Sequence, residues 1–229
     1  MGFIASGCSI ILGGILGGIL RKKIYLKNFT ALSLGVMIIS LVGLFENILT
    51  LTDGKIVGEH TVPVSLAVIF GCLIGDALKL EDRIYALSKS RNTATVGVVD
   101  TILFFGIGGL QITGPILYAL KGDSLQLIIK AMIDFPFSLM FGATYGKRIS
   151  LSSIPVVAMQ IIIALIAYAS GAFFSEDLLA QICSIGYVIL FFSGFNMICS
   201  PEKKIKNINI LPGIFLIIVY NIVLEVLGK

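Results

Sequence analysis

The chain is 229 residues long, 57% of them hydrophobic and only 13% charged, with a mean hydropathy of +1.02 and a net charge of +4. A soluble domain carries about 25% charged residues, so this composition excludes a soluble globular domain and describes a polytopic membrane protein. It also excludes a nucleic-acid-binding surface, because the basic residues lie in short clusters at the ends of apolar runs.

A helix needs about 20 apolar residues to cross the hydrocarbon layer. Eight segments read this way: residues 3–20, 30–49, 62–78, 95–119, 125–145, 153–174, 181–199 and 208–227. The connections are short, so a single integral membrane domain over 1–229 is expected. Backbone polar groups in lipid must be satisfied within each segment, which makes helices the expected form throughout.

The first segment ends in "GGILRKKIYL" and carries small-residue pairs at Gly13/Gly17 and Gly14/Gly18. Gly71/Gly75 in the third and Gly142/Gly146 in the fifth repeat that spacing, which lets helix backbones approach closely. These faces can serve internal packing or a homo-oligomer contact. Asp76, beside Lys79 at the inner end of the third segment, reads as an interfacial ion pair.

The fourth segment, "FFGIGGLQITGPILYALKG", holds Gly106, Gly108, Gly109, Gly114 and Pro115 together with Gln111 and Thr113. It is expected to be unwound or closely approached. Asp100, near its cytoplasmic end, can be solvated or can serve a proton path.

The fifth segment carries charge at membrane depth: Lys130, Asp134 one turn on, and Pro136. Intramembrane ionisable groups are costly and point to function by default. Two readings stand. The pair neutralises itself so that the helix can insert, or its face lines a watery cavity where a proton, ion or charged solute replaces one partner. Proline frees the carbonyl four residues back, at Met132. Broken helices with free carbonyls hold solutes in many transporters, so a broken hairpin of the fourth and fifth helices is expected. Gln160 in the sixth segment and Asn196 in the seventh are further candidates, against the simpler role of hydrogen bonding between helices.

Counting Lys and Arg orients the chain. With both termini outside, thirteen basic residues face the cytoplasm, and Lys55, Lys121 and Lys229 lie outside with His60, Glu176 and Asp177. "GGILRKKIYL" and "GATYGKRISL" match at Gly17/Gly142, Lys22/Lys147, Ile24/Ile149 and Leu26/Leu151. This suggests two parallel four-helix halves, 1–120 and 121–229, or four related hairpins.

The segments "IILGGILGGILRKKI", "GCLIGDALKLEDRI", "GIGGLQITGPILYALKGDSLQLIIKAMID", "SIPVVAMQ" and "GFNMI…NILPG" resemble, in order and over nearly the whole chain, the bacterial membrane family catalogued as domain of unknown function 554. The family pattern places a Gly-rich stretch before a short polar loop, a Lys, and an Asp followed by Gly. Lys130 and Asp134 match it. Phe135-Pro136 departs from it, so the local backbone is expected to differ. Gln160 falls at a family Gln and Asn196 at a family Asn. The resemblance implies a bacterial membrane protein, with transport presumed only by fold-level analogy.

The leading expectation is a secondary transporter of a small solute or ion in the cytoplasmic membrane. Its site would comprise Asp134, Lys130, Gly108, Gly109, Gln111, Thr113, Gln160 and Asn196, with Asp100 on a proton path. A passive channel and a non-transporting interaction subunit are the alternatives. No enzyme, cofactor or metal is expected. Cys8, Cys72, Cys183 and Cys199 show no ligand spacing, and there is one His with no nucleophile–base pair.

Overall fold

The computed structural model describes residues 2–20, 27–52, 55–58, 60–87, 93–106, 109–170 and 175–227. Within the described residues each of the eight apolar segments holds an α-helix. Among those residues ten α-helices run in chain order: α1 (Gly2–Leu20), α2 (Lys27–Ile48), α3 (Thr61–Ala77), α4 (Leu80–Leu87), α5 (Thr93–Gly106), α6 (Gly109–Lys121), α7 (Leu125–Tyr145), α8 (Ser153–Ser170), α9 (Glu176–Ile198) and α10 (Pro212–Val226). A three-residue antiparallel hairpin, β1 (Thr50–Thr52) with β2 (Lys55–Val57), sits between α2 and α3.

The protein is all-α and membrane-embedded. Among the described residues, α1, α2, α7, α8, α9 and α10 are long and apolar enough to cross a membrane, and α5 with α6 makes a seventh if the bent pair is one span. The eighth expected span rests on α3, whose 17 residues are apolar but fall short of that length. The break lies in the fourth segment only: the axes of α5 and α6 differ by 53°. α7 runs through Pro136 as one helix, so the expected break in the fifth is not present.

Local chemistry sets the helix ends. Ser175 caps α9, its Oγ accepting from Leu178 N–H at 3.1 Å, and Glu176 and Asp177 complement the first turn. α7 ends at Gly146, whose φ of +93° suits a residue without Cβ. Lys79 turns the chain between α3 and α4 at φ +50°. No ion pair joins it to Asp76 among the described residues, contrary to expectation.

Lipid-facing helices are held by close packing, since apolar burial gives no driving force between them in lipid. α1 lies directly on α7. A Cβ at Gly13 would strike Phe135 carbonyl and Ser138, one at Gly17 would strike Leu139 carbonyl, and one at Gly142 would strike Gly14 carbonyl. Ser138 Oγ donates to Ile10 carbonyl at 2.6 Å across the same contact. α2 meets α9 where Gly43 lies under the Tyr187 ring and Ser33 hydroxyl donates to Gly194 carbonyl. α3 meets α10 through Gly71 on Gly213, and Gly75 lies on Asn209 just before α10.

Surface ion pairs join residues expected to share a side of the membrane. Lys121 pairs with Glu176, His60 lies 3.5 Å from Asp177, and Lys206 pairs with Asp82 at 2.8 Å. At the last of these ends, Glu81 carboxylate accepts from Ile208 N–H and Asn209 Oδ1 accepts from Glu81 N–H, both at 3.1 Å. Burial holds the Glu81 carboxyl above its ordinary pKa, against Ile208 N–H and Lys206, which pull it down.

Two predictions follow from this packing. Gly17→Ala forces the α1–α7 backbones apart and should cost about 1–3 kcal/mol, whereas Gly35→Ala, at a position with nothing within 4 Å, should leave stability unchanged or slightly raised. Unfolding of both variants in detergent checks this. For Glu81, a folded-state pKa above the unfolded value means a penalty on the ionised form. That penalty is absent below the unfolded pKa and fully present above the folded one. Glu81→Gln keeps an acceptor for Ile208 N–H. It should therefore melt no lower than wild type at neutral pH, with its margin shrinking as the pH falls through the acid range.

Candidate functional site

The buried face of α7 is set by its apolar period. Leu127, Lys130, Ala131, Asp134, Phe137, Ser138, Met140 and Gly142 turn inward, while Met132 is 72% exposed on the outer side. A spacing of four residues puts Lys130 and Asp134 on that inner face, one turn apart. Both are 4% exposed, and Lys130 Nζ donates to Asp134 Oδ2. The ammonium also lies 5.5 Å from the centre of the Phe105 ring, within reach of its negative face.

These two side chains line a cavity of about 30 Å3. Phe104 and Phe105 come from α5, Leu110 and Gln111 from α6, Ile133 from α7 and Leu190 from α9. Its walls therefore come from both sides of the α5–α6 break. Around it Ile10, Val36, Phe105, Phe137 and Val156 form a dry cluster. Phe104 packs in turn against Phe137, tilted at 4.7 Å, and Phe141, edge-on at 5.4 Å.

Gln111 leads out of the cavity into a chain of buried amides. Its Nε2 donates to Val156 carbonyl at 3.0 Å, and its Oε1 accepts from Gln160 Nε2 at 2.9 Å. Gln160 Nε2 donates also to Ser6 Oγ at 3.0 Å. Gln111, Gln160 and Ser6 are all fully buried. α1, α6 and α8 are thus joined by hydrogen bonds that, in lipid, no water can replace.

The structure brings together Lys130, Asp134, Gln111 and, through Gln111, Gln160. It does not bring in Thr113 or Asn196. Thr113, two residues from Gln111 and so on another face of α6, donates to Gln126 Oε1 at 2.7 Å. Asn196 holds the backbone of Ile205, donating to its carbonyl and accepting from its N–H at 2.7 Å each. It fastens the chain after α9 and does not touch the cavity. Asp100 lies off the cavity lining and accepts from Tyr145 Oη at 3.1 Å. Gly109 opens α6, and Gly108 lies outside the described residues. Among the described residues no three His, Cys, Asp or Glu side chains are placed to hold a metal ion.

Two features escaped sequence reasoning. Ser6 carries no signal in the sequence, with nothing nearby to mark it. His60 reads as a solitary loop residue, yet it is buried: Gln181 Nε2 lies 3.2 Å from its Nδ1, and Gln181 Oε1 accepts from Asn221 at 2.7 Å.

The profile of the family described as protein of unknown function, DUF554, matches residues 1–222. The chain belongs to that family. It is similar to the uncharacterized membrane protein YdfK of Bacillus subtilis (strain 168), 29% identical over 219 residues, covering 94% of this chain and 93% of the relative. It is also similar to the uncharacterized protein YqgA of Escherichia coli (strain K12), 24% identical over 229 residues and covering 94% of each. No solved structure matches.

Breaking a buried ion pair leaves a stranded charge and costs about 3–5 kcal/mol, while replacing both partners with apolar groups is often neutral. Lys130→Met and Asp134→Leu should each destabilise by about that much, and the double variant should recover most of the loss. A double-mutant cycle on unfolding in detergent reads the coupling directly.

Proposed function

We propose that this protein is a secondary transporter of a small ion or solute across the bacterial cytoplasmic membrane, working at the Lys130–Asp134 cavity. The observation that carries this reading is the cavity's construction: a buried, self-neutralised charge pair sits against both arms of a bent helix pair. A change in the bend moves Phe104 and Phe105 relative to Leu110 and Gln111. That is the kind of rearrangement by which discontinuous membrane helices open a midplane site to one side or the other.

Size narrows the cargo. About 30 Å3 is space for one or two water molecules. In this conformation the site suits an ion stripped of most of its water, or a proton carried between Asp134 and such waters. A cation that takes the place of the Lys130 ammonium at Asp134 would be compensated by the carboxylate, which lowers the cost of carrying its charge through lipid. The apolar residues around the cavity favour this occluded arrangement over a passive channel, which needs a continuous polar lining.

Reconstitution in liposomes tests the proposal. On a solid-supported membrane, wild type should give transient currents on a jump in one of Na+, K+, NH4+ or H+, and Asp134→Asn should abolish them. The Lys130→Met/Asp134→Leu double variant should stay folded and give no current. Absence of current or tracer uptake for a folded wild type across these ions and a panel of small amines and acids would overturn it. Full function retained in the double variant would do the same, and would leave the pair a purely structural device.

A further inference from the structure

The buried amide chain has a direction, and the direction is forced. Val156 carbonyl can only accept, so Gln111 must turn its Nε2 toward it at 3.0 Å. That leaves Gln111 Oε1 facing Gln160, so Gln160 must turn its own Nε2 inward at 2.9 Å. Reversing either amide would set two oxygens or two N–H groups against each other. Gln160 Oε1 is therefore left pointing away from the chain. It is wholly buried and has no protein donor within hydrogen-bond reach, alone in this respect among the buried side-chain atoms of the described residues. A buried amide oxygen without a donor is unfavourable, more so where lipid keeps water away.

We infer that Gln160 Oε1 is a ligand for a small monovalent cation, in a subsite one hydrogen bond from the Lys130–Asp134 cavity. The inference rests on the transporter reading and gives it a substrate class. The group at this point is a neutral amide oxygen, on the far side of the Gln160 amide from Gln111 Oε1 and Ser6 Oγ. Neutral oxygens suit a singly charged hard cation. A divalent ion would call for several carboxylates, and Asp134, the carboxylate of the adjoining cavity, is already balanced by Lys130. A cation at Gln160 would add one positive charge beside that pair and favour release of the Asp134 carboxylate from Lys130. Movement of the cation from the amide oxygen to the carboxylate would then follow the charge.

The test reads binding rather than flux, so its failure is distinct from failure to transport. Purified wild type is melted in detergent in chloride salts of Li+, Na+, K+, Rb+ and NH4+ at one ionic strength, against N-methylglucamine chloride. At least one of these cations should raise the melting temperature saturably. Gly35→Ala, at a position with nothing within 4 Å, should retain the response, and Gln160→Met should lose it. If Gln160→Met does not fold, Gln160→Asn, which withdraws the oxygen by one methylene, should weaken the apparent affinity by about tenfold or more. Identical melting of wild type in all six salts would overturn the inference and leave a bound water as the donor at Oε1. A cation response unchanged in the folded Gln160 variants would overturn it as well. Binding at Gln160 without currents in liposomes would uphold the subsite and count against transport.

Discussion

Everything else in this molecule depends on how closely α1 lies on α7. The two backbones touch through Gly13, Gly14 and Gly17 on one side and Ser138, Leu139 and Gly142 on the other, with the Ser138 hydroxyl bridging to Ile10 carbonyl between them. In lipid, apolar surface gives no reason for two helices to associate, so van der Waals contact and hydrogen bonds must do it. The contact fixes the rotation of α7. Once Ser138 and Gly142 face α1, the period of 3.6 residues turns Lys130 and Asp134 inward as well. It also sets the rotation of α1 so that Ser6 reaches Gln160 on α8. One seam of glycines thereby aims both the charge pair and the amide chain.

The bend between α5 and α6 is the second constraint, and it works with the first. α6 is tied to α8 by Gln111 on Val156 and Gln160. α5 is tied instead to α7, through Phe104 on Phe137 and Phe141 and through Asp100 accepting from Tyr145. α6 also meets α7, where Thr113 donates to Gln126, so both arms of the bent pair are held on α7. The cavity is walled by both arms, so its shape follows the angle between them.

Much of this was legible in the sequence, for reasons particular residues make plain. Apolar run length located the helices, six of them among the described residues long enough to span and a seventh if the bent pair counts as one, while α3 falls short. Gly13/Gly17 and Gly71/Gly75 announced close packing because glycine at four-residue spacing has few other uses on a membrane helix. Lys130 and Asp134 stood out because charge at that depth is expensive. What failed was long-range or geometric. Pro136 was read as a break, but a proline inside a long helix loses one hydrogen bond and the packed neighbours hold the rest, so α7 continues. Asn196 was read as a site residue. Its amide serves Ile205, nine residues on, and nothing in the residue type distinguishes a clamp from a ligand. Ser6 and His60 were missed because their partners, Gln160 and Gln181, are more than a hundred residues away in sequence.

The two buried polar chains obey the same rule and end differently, and the difference separates a site from a support. Each starts on a backbone carbonyl, which fixes the direction of every amide after it. From Val156 carbonyl the order runs Gln111, Gln160, and then the bare Oε1 of Gln160 inside the protein. From Ile217 carbonyl it runs Asn221, Gln181 and His60 Nδ1, which leaves the ring proton on Nε2, facing Asp177 at 3.5 Å. Asp177 has 73% of its side chain exposed, so the second chain ends beside a solvated carboxylate. The first has no such outlet. Anchored on a carbonyl, the first chain turns its last amide oxygen away from its start, and that oxygen lies buried without a donor among the described residues, one hydrogen bond from the lining of the Lys130–Asp134 cavity.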